Sequence, residues 1–176
     1  MNIDTITLFF ALLSGLSALI AAAIMVSAVS ADRLGVIAAL RPVSVEIAAA
    51  VAVTATLGSL YLSEVQGYDP CRLCWVQRAF MYPAAIVLVI ALVTRSRFPI
   101  WVAAGLAAIG LPVALFHRYE QAAGEVGGLC DQANPCSSRW VEEFGFVTIP
   151  TMAAAGFVAI VALCLVALRD RKDDRI

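Results

Sequence analysis

Five long apolar segments, separated by short polar stretches, dominate the hydropathy pattern of the chain. Each is roughly 18–25 residues long, the length that an α-helix needs to cross about 30 Å of hydrocarbon. No polar stretch between them is long enough to form a separate soluble domain. The pattern therefore predicts an all-α integral membrane protein whose helices lie near residues 6–31, 43–65, 76–94, 98–117 and 147–168.

The composition supports a membrane environment. Of the 176 residues, 62% are hydrophobic and 14% are charged, whereas an average soluble domain is nearer 25% charged. So little polar surface cannot cover a water-soluble globule, and we expect the lipid bilayer to surround the helices. The net charge of −1 argues against a nucleic-acid partner.

Basic residues predict the orientation of the helices. An excess of Lys and Arg marks the cytoplasmic side of a membrane protein. We therefore expect the N-terminus and both cysteine clusters to be extracytoplasmic, where disulfides form and persist, and the C-terminus to be cytoplasmic. Eight of the 12 Lys and Arg residues lie on the predicted cytoplasmic side: Arg33, Arg41, Arg95, Arg97, Arg169, Arg171, Lys172 and Arg175.

The first apolar segment ends in VSAD, residues 29–32, which resembles a signal-peptide cleavage site. Its apolar run is longer than the roughly 7–15 residues of a typical signal core, and the start MNIDTIT has no basic residue. We therefore predict a retained helix.

The stretch DPCRLCWVQR carries the first candidate chemistry, a CxxC pair formed by Cys71 and Cys74 near the start of the third segment. A cysteine at a helix N-terminus meets unpaired N–H groups and the positive end of the helix dipole, which lower its pKa. Arg78 shares a helical face with both cysteines if the helix runs from Cys71. Its fixed cation stabilises a thiolate, so the stretch predicts a reactive dithiol at membrane level.

A second cysteine pair, Cys130 and Cys136, lies in a polar stretch with the turn signals Gly-Gly and Asn-Pro. A ring closed by these two residues gains little stability from chain entropy because it is small. An exposed bridge that contributes little stability is typical of an exchangeable disulfide.

Other interpretations of the four cysteines stay open on chemistry alone. The CxxC pair could be half of a zinc site, but the spacing between Cys130 and Cys136 fits zinc less well than shorter spacings do. Haem attachment requires CxxCH, and Trp75 stands where the histidine would be. Two inert structural disulfides remain an alternative. We expect no metal.

His117, the only histidine, ends the fourth segment on the predicted outer side. A lone histidine at such a place is usually a hydrogen-bonded interfacial residue, but it could donate to a redox ligand or carry a proton. Arg78 considered alone is most often a flanking residue whose charge reaches back to the interface. Residues 138–144 predict either a short interfacial helix or a plain loop, and the remaining Cys164 predicts core packing.

Three stretches together resemble a known family: LGSLYLSEVQGYDPCRLCWVQRAFMYP at 57–83, HRYEQ at 117–121, and the loop pair followed by FGFVTIP at 144–150. A CxxC pair alone is a weak signal, but CxLCWxQRxxMYP at a membrane boundary with the downstream motifs is highly specific. On these residues the chain resembles the disulfide bond formation protein B (DsbB) family, and most closely its BdbC branch from Gram-positive bacteria. The resemblance covers about 43–168; the first helix, about 6–31, is additional to the usual four-helix core. The resemblance therefore implies an additional helix and loop over 1–41, a four-helix transmembrane bundle over 42–168 and a tail over 169–176.

The resemblance implies an activity, a partner and a cofactor. Members of the family are thiol:quinone oxidoreductases of the bacterial cytoplasmic membrane. They reoxidise a DsbA-like (BdbD-like) extracytoplasmic thiol-disulfide oxidase and pass its electrons to a membrane quinone, either ubiquinone or menaquinone. The expected partners are therefore that oxidase, the quinone pool and the bilayer.

The resemblance also assigns roles to single residues. Cys130 matches the cysteine that the partner's thiolate attacks, and Cys136 would then exchange with Cys71 and leave Cys74 as the thiolate next to the quinone. Cys130–Cys136 and Cys71–Cys74 would thus be redox-active disulfides. Two more residues match the quinone site of the family: Arg78 and His117.

Two alternative functions remain. A vitamin K epoxide reductase-like enzyme also couples dithiols to a quinone, but its loop pair precedes its CxxC pair, which is the reverse of the order here. A non-enzymatic membrane scaffold with two structural disulfides would have no quinone pocket, and both of its pairs would be reduced slowly.

Overall fold

The computed structural model of the protein describes residues 3–30, 35–124, 130 and 134–169. The fold is all-α, and five helical spans of the described residues are long and apolar enough to cross a membrane, as the hydropathy pattern predicts. In chain order the helices are α1 Ile3–Val29, α2 Val36–Leu40, α3 Ser44–Leu60, α4 Arg72–Thr94, α5 Arg97–Ala123 and α6 Ile149–Arg169. A short 3₁₀ turn, Arg41–Val43, joins α2 to α3.

The helices α3 to α6 form a bundle in which α4 packs on α3 and α5, and α6 packs on α3 and α5. The additional helix α1 lies outside this bundle and packs mainly against α6. Close helix approach in the bundle depends on small residues. A Cβ atom at Gly110 of α5 would lie 2.5 Å from the ring of Phe157 in α6, so the fully buried Phe157 requires glycine opposite it.

Helix α4 begins four residues before the apolar segment predicted at 76–94. Cys71 is its N-cap: the backbone is extended there, and Sγ accepts a hydrogen bond from the N–H of Cys74 at 3.3 Å. A capped helix start satisfies otherwise unpaired N–H groups. The early start that the CxxC interpretation requires is therefore present.

Helix α3 does not end in a regular turn but continues as a single π-helical turn, Tyr61–Val65. A π turn loosens the helical hydrogen-bond ladder and often occurs at functional sites. Here the carbonyl of Ser59, just before the π turn, accepts a hydrogen bond from a side chain of α4. The end of α3 is therefore tied to the neighbouring helix that carries the CxxC pair.

Helix α5 extends six residues beyond its predicted end at 117, so HRYEQ is helical. It ends where Gly124 adopts a left-handed conformation, with φ 71°, which glycine adopts without steric cost. Helix α5, which leads into the loop pair, is thus longer than the hydrophobic pattern indicates.

The short interfacial helix considered for residues 138–144 is absent. Instead, β1, Glu142–Glu143, pairs antiparallel with β2, Val147–Thr148. Phe144 and Gly145 both have positive φ, at 54° and 76°, the conformation that a tight hairpin turn requires. Residues 138–141 lead into this hairpin as irregular backbone.

Both cysteine pairs lie at the same end of the bundle. The N-terminal end of α1 is there as well, because Thr7 donates to Glu143 of the hairpin. The opposite end holds Arg97, whose guanidinium donates to the carbonyl of Leu168 at 2.7 Å. Several residues behind the orientation prediction lie outside the described residues: Arg33, Arg171, Lys172 and Arg175.

Candidate functional site

The CxxC pair brings two thiol groups together at the start of α4. Sγ of Cys71 and Sγ of Cys74 are 2.8 Å apart, and neither forms a disulfide. The predicted Cys71–Cys74 disulfide is therefore not formed in this structure, which contains the pair as a dithiol. Their oxidised state remains a prediction.

Cys71 faces the protein interior. Only 5% of its surface is exposed, and it packs with Leu73 and Cys136. The hydrogen bond from the Cys74 thiol is the main factor that lowers the Cys71 pKa, from 9.0 to about 4, and His117 acts in the same direction against the opposing effect of burial. The Cys74 thiol and His117 therefore both favour the thiolate form of Cys71 when the pair is reduced.

His117 is buried, with 2% of its surface exposed, and its two ring nitrogens have different neighbours. Gln77 Nε2 lies 2.7 Å from Nδ1, so the amide can donate there and leave the proton on Nε2. Nε2 lies 3.2 Å from the carbonyl of Cys136 and 3.6 Å from Sγ of Cys71. His117 therefore joins the CxxC pair to the second cysteine pair.

The second pair is a disulfide between Cys130 and Cys136, with their Cα atoms 5.7 Å apart. This confirms the predicted pairing. Cys136 is almost completely buried, with 1% exposed, whereas Cys130 is partly exposed. The cysteine predicted to meet the partner is thus the more accessible one, and Cys136 is the one packed against Cys71.

Several contacts hold the loop of the second pair over the helix ends. Asn134 donates to the carbonyl of Asp69, just before the CxxC pair, at 3.4 Å. Gln121 of α5 donates to the carbonyl of Ser138 at 3.1 Å, and Arg139 donates back to the carbonyl of Gln121 at 3.2 Å. These hydrogen bonds hold the segment that carries Cys136 against the end of the bundle where Cys71 caps α4. The two cysteine pairs therefore lie next to each other.

Cys74 packs against the same cluster as Cys71 but, unlike Cys71, also lines a cavity of about 330 Å³ between α1, α3, α4 and α6. Most of the lining is aliphatic or aromatic, and the polar groups near Cys74 include Gln77 and Arg78. Trp140 and Tyr68 also line the cavity, and their rings stack with centroids 5.2 Å apart. An apolar cavity with a few placed polar groups is typical of a small-molecule site.

Arg78 is held within this cavity by α3. Its Nε donates to Oγ of Ser59 at 2.9 Å and its Nη2 to the carbonyl of Ser59 at 3.0 Å. Tyr82 donates to the same Oγ at 3.2 Å, and the guanidinium carbon lies 5.1 Å from the ring centroid of Trp75. In the described part of the chain, Nη1 makes no hydrogen bond, so it can donate to a ligand. The flanking role considered for an isolated arginine does not describe this arrangement.

Sequence reasoning did not single out Ser59 and Tyr82. Both lie within the stretch 57–83 that carries the family resemblance, so the signal was present as a motif. No spacing rule connects residues on two different helices, and only the packing of α3 on α4 brings them to Arg78.

His117, assigned by the resemblance to the quinone site, is not among the described residues that line the cavity. It lies on the Cys71 side of the dithiol instead. Its contact with a quinone remains a prediction, and the geometry favours a role at the thiols. Cys164 lies fully buried in α6, as a packing residue would.

Ligand atoms of Cys71, Cys74 and His117 lie within 4.8 Å of one another, which is close enough to hold a metal ion. This group differs from the zinc site considered from sequence, because that site needs four free cysteines. Cys130 and Cys136 are bonded to each other here and are not available as thiolate ligands.

Comparison with known proteins identifies relatives over most of the chain. Residues 41–167 match the sequence model of the family described as "Disulfide bond formation protein DsbB". The "Probable disulfide formation protein C 1" of Bacillus anthracis is 38% identical over 120 residues, which cover 66% of this chain and 86% of the relative. The "Disulfide bond formation protein C" of Bacillus subtilis (strain 168) is 38% identical over 118 residues, 65% of this chain and 86% of the relative. No solved structure matches.

Proposed function

This chain belongs to the DsbB family of disulfide bond formation proteins, and from that premise we propose that it is a membrane thiol:quinone oxidoreductase. Its family and its five apolar helices make it a multi-pass membrane protein with a role in disulfide oxidation. In the proposal it reoxidises a DsbA-like extracytoplasmic thiol-disulfide oxidase and delivers the electrons to a membrane quinone.

The observation that carries the proposal is that the two sulfurs of the CxxC pair face different neighbours. Cys71 packs against Cys136 of the loop pair, and Cys74 lines an apolar cavity together with Arg78. A CxxC disulfide that accepts electrons from a second, reduced cysteine pair, and then as a dithiol transfers them to a membrane-soluble acceptor, needs this arrangement. A purely structural disulfide does not require a cavity beside one of its sulfurs.

The electron route follows from thiol–disulfide exchange. A thiolate of the reduced partner attacks Sγ of Cys130, breaks the Cys130–Cys136 bond and releases Cys136 as a thiolate. Cys136 then attacks Cys71 of the oxidised CxxC pair, and Cys74 leaves as a thiolate. The partner's second thiolate then attacks the partner sulfur that is bonded to Cys130, which forms the partner's disulfide and releases Cys130 as a thiolate. Cys130 attacks Cys136, reforms the Cys130–Cys136 bond and releases Cys71. Each step forms one S–S bond and breaks one, and together they move two electrons from the partner to the CxxC pair.

The cavity fits a quinone by its donor set. Its walls are mostly apolar, and Arg78 keeps Nη1 without a partner among the described residues, so one N–H can donate to a carbonyl oxygen. A bound quinone supplies a two-electron acceptor that becomes a hydroquinone. The guanidinium stabilises a Cys74 thiolate and negative charge on an acceptor oxygen, since a preorganised cation in an apolar site acts strongly.

We also propose the orientation and location of the chain. Both cysteine pairs and the N-terminal end of α1 share one end of the bundle, while Arg41, Arg95, Arg97 and Arg169 flank the other ends of the helices. By the positive-inside rule, the cysteine end faces the extracytoplasmic side of the bacterial cytoplasmic membrane. Cysteine substitutions on each side, probed with a membrane-impermeant thiol reagent in intact cells, test this.

A reconstituted assay tests the activity. The purified protein is mixed with a reduced thioredoxin-like oxidase and a short-tailed ubiquinone or menadione, and both quinone reduction and partner oxidation are followed. We expect the two to proceed in equal molar amounts. Oxidation of the partner without quinone reduction would remove the quinone from the proposal, and no oxidation of any partner would favour the disulfide-stapled scaffold.

A further inference from the structure

Helix α1 lies outside the family match, which begins at residue 41, yet it contributes a wall of the cavity beside Cys74. The α1 residues that line the cavity include Phe10, Leu13, Ser14 and Ser17. Their spacing of three and four residues places them on one face of the helix. The additional helix is therefore part of the site that contains Cys74.

Phe10 reaches from α1 to α3 and meets Gly58 there. A Cβ atom on Gly58 would lie 2.7 Å from Cε1 of the Phe10 ring, so the ring rests directly on the α3 backbone. Gly58 precedes Ser59, the residue that holds Arg78. Phe10 thus closes the space between α1 and α3 at the level of the arginine.

Contacts at both ends hold α1 in this position. Near its N-terminal end, Oγ1 of Thr7 donates to Oε1 of Glu143 in the hairpin at 2.6 Å. Near its C-terminal end, Ala21 and Ile24 are buried in the hydrophobic core, with 1% and 5% exposed. A helix fixed at both ends presents a defined surface to whatever occupies the cavity.

We propose that α1 is part of the quinone-binding site, and that Phe10 and Leu13 pack against the bound quinone and restrict which quinones the site accepts. This inference rests on the proposed function. The hydrocarbon tail of a lipid could also enter an apolar cavity, but this tail has no oxygen to accept a hydrogen bond from Arg78. The polar end of the cavity, with Cys74 and Arg78, therefore favours the quinone.

Photolabelling of the full-length protein with an azido-benzoquinone tests the contact without measuring turnover. We expect label in peptides from residues 3–29, and a short-tailed ubiquinone in excess should protect them whereas phospholipid should not. Protected label confined to α3, α4 and α6 would overturn the role of α1 and leave the proposed function intact. Labelling that phospholipid prevents would assign the cavity to lipid, and labelling that nothing prevents would mean no specific site; either result overturns both proposals.

Two neighbouring leucines provide a matched pair of variants. Leu13 lines the cavity, whereas Leu12 is 59% exposed and faces lipid. We expect Leu13→Ala to weaken equilibrium quinone binding roughly tenfold, the effect of losing packing in an apolar pocket, and Leu12→Ala to leave it unchanged. Equal binding by the two variants would contradict the inference.

Phe10→Ala should weaken quinone binding at least as much as Leu13→Ala. Gly58→Ala should also weaken it, because the new methyl group must displace the Phe10 ring. In a Phe10→Ala background the Gly58→Ala change should then have a smaller effect, since coupled positions are not additive. If the losses of quinone binding from Phe10→Ala and Gly58→Ala are additive in variants that circular dichroism shows to be folded, Gly58→Ala does not act through the Phe10 ring.

Discussion

The two sulfurs of the CxxC pair lie 2.8 Å apart and yet occupy different surroundings. Cys71 is buried among protein groups, with His117 and Cys136 beside it. Cys74 lines an apolar cavity that also contains Arg78. The difference shows how one dithiol can serve two reactions: one sulfur exchanges with protein sulfur, and the other meets a small molecule from the membrane.

The largest expected effect comes from removing the cavity-side sulfur. Cys74→Ser should lower quinone reduction by at least about a thousandfold, as loss of a reacting nucleophile does. Attack of the partner on Cys130 should continue, because the Cys130–Cys136 disulfide does not depend on Cys74. A mixed disulfide between Cys130 and the partner, trapped by acid and detected by mass, measures this.

Cys164→Ser is the matched control for that substitution, because it changes the same atom in a cysteine that packs in α6. It should leave quinone reduction within about twofold of the unmodified protein, since a buried thiol acts as a small hydrophobe. Unchanged quinone turnover in Cys74→Ser would contradict the assignment of Cys74 as the sulfur that reacts with the quinone.

Arg78 tests the cavity side without changing a sulfur. Arg78→Ala should raise KM for quinone about tenfold to a hundredfold, since hydrogen bonds to charged groups contribute about 1.5–3 kcal/mol. Arg78→Lys should recover only part of this loss, because an ammonium group cannot hold Ser59 Oγ and its carbonyl with a planar fork. Steady-state kinetics at several quinone concentrations measure the change, and an unaltered KM would show that Arg78 does not contribute to quinone binding.

The Cys71 side predicts a pH dependence. Because the Cys71 pKa lies at about 4 instead of 9.0, the thiolate is present at pH 7 and is lost only as the pH falls through about 4. Its ultraviolet absorbance, measured in reduced protein with Cys130 and Cys136 replaced by Ser, should follow that course. Between about pH 4 and pH 9, the two pKa values of Cys71, the free energy of unfolding of the reduced protein should rise with pH. The reason is that the unfolded chain still binds the proton that the folded thiolate has lost.

His117→Ala should shift that titration to higher pH, since it removes a group that lowers the Cys71 pKa. Gln77→Leu serves as a comparison, because it removes only the amide that holds Nδ1 and should change the titration less. A thiolate signal that appears only near pH 9 in the protein in which Cys130 and Cys136 alone are replaced would contradict the lowered pKa of Cys71.

The smallest effect is expected at Ser59, which touches Arg78 but no sulfur. Ser59→Ala removes the Oγ that accepts from Nε of Arg78 and from the Tyr82 hydroxyl, while the backbone carbonyl contact remains. A hydrogen bond of this kind contributes about 1 kcal/mol, so KM for quinone should rise roughly fivefold with kcat nearly constant. A fall in kcat at unchanged KM would show that Ser59 does not act through binding.

Much of this protein could be predicted from local patterns. Hydrophobic length alone predicts the five helices, because a bilayer demands about 20 apolar residues for each span. The motif CxLCWxQRxxMYP indicated the family, and the disulfide between Cys130 and Cys136 was predicted correctly. Element ends were less certain: α4 starts earlier than the apolar run because Cys71 caps it, and hydrophobicity does not report capping.

The tertiary structure decided which groups face each other. No spacing along the chain indicates that His117 lies against Cys71 instead of in the cavity, because the relative rotation of α4 and α5 sets that contact. The same holds for Ser59 beside Arg78 and for Phe10 on Gly58. Periodicity determines which face of a helix is apolar, but only packing determines which helix that face meets, and hence which sulfur of the dithiol turns toward the cavity.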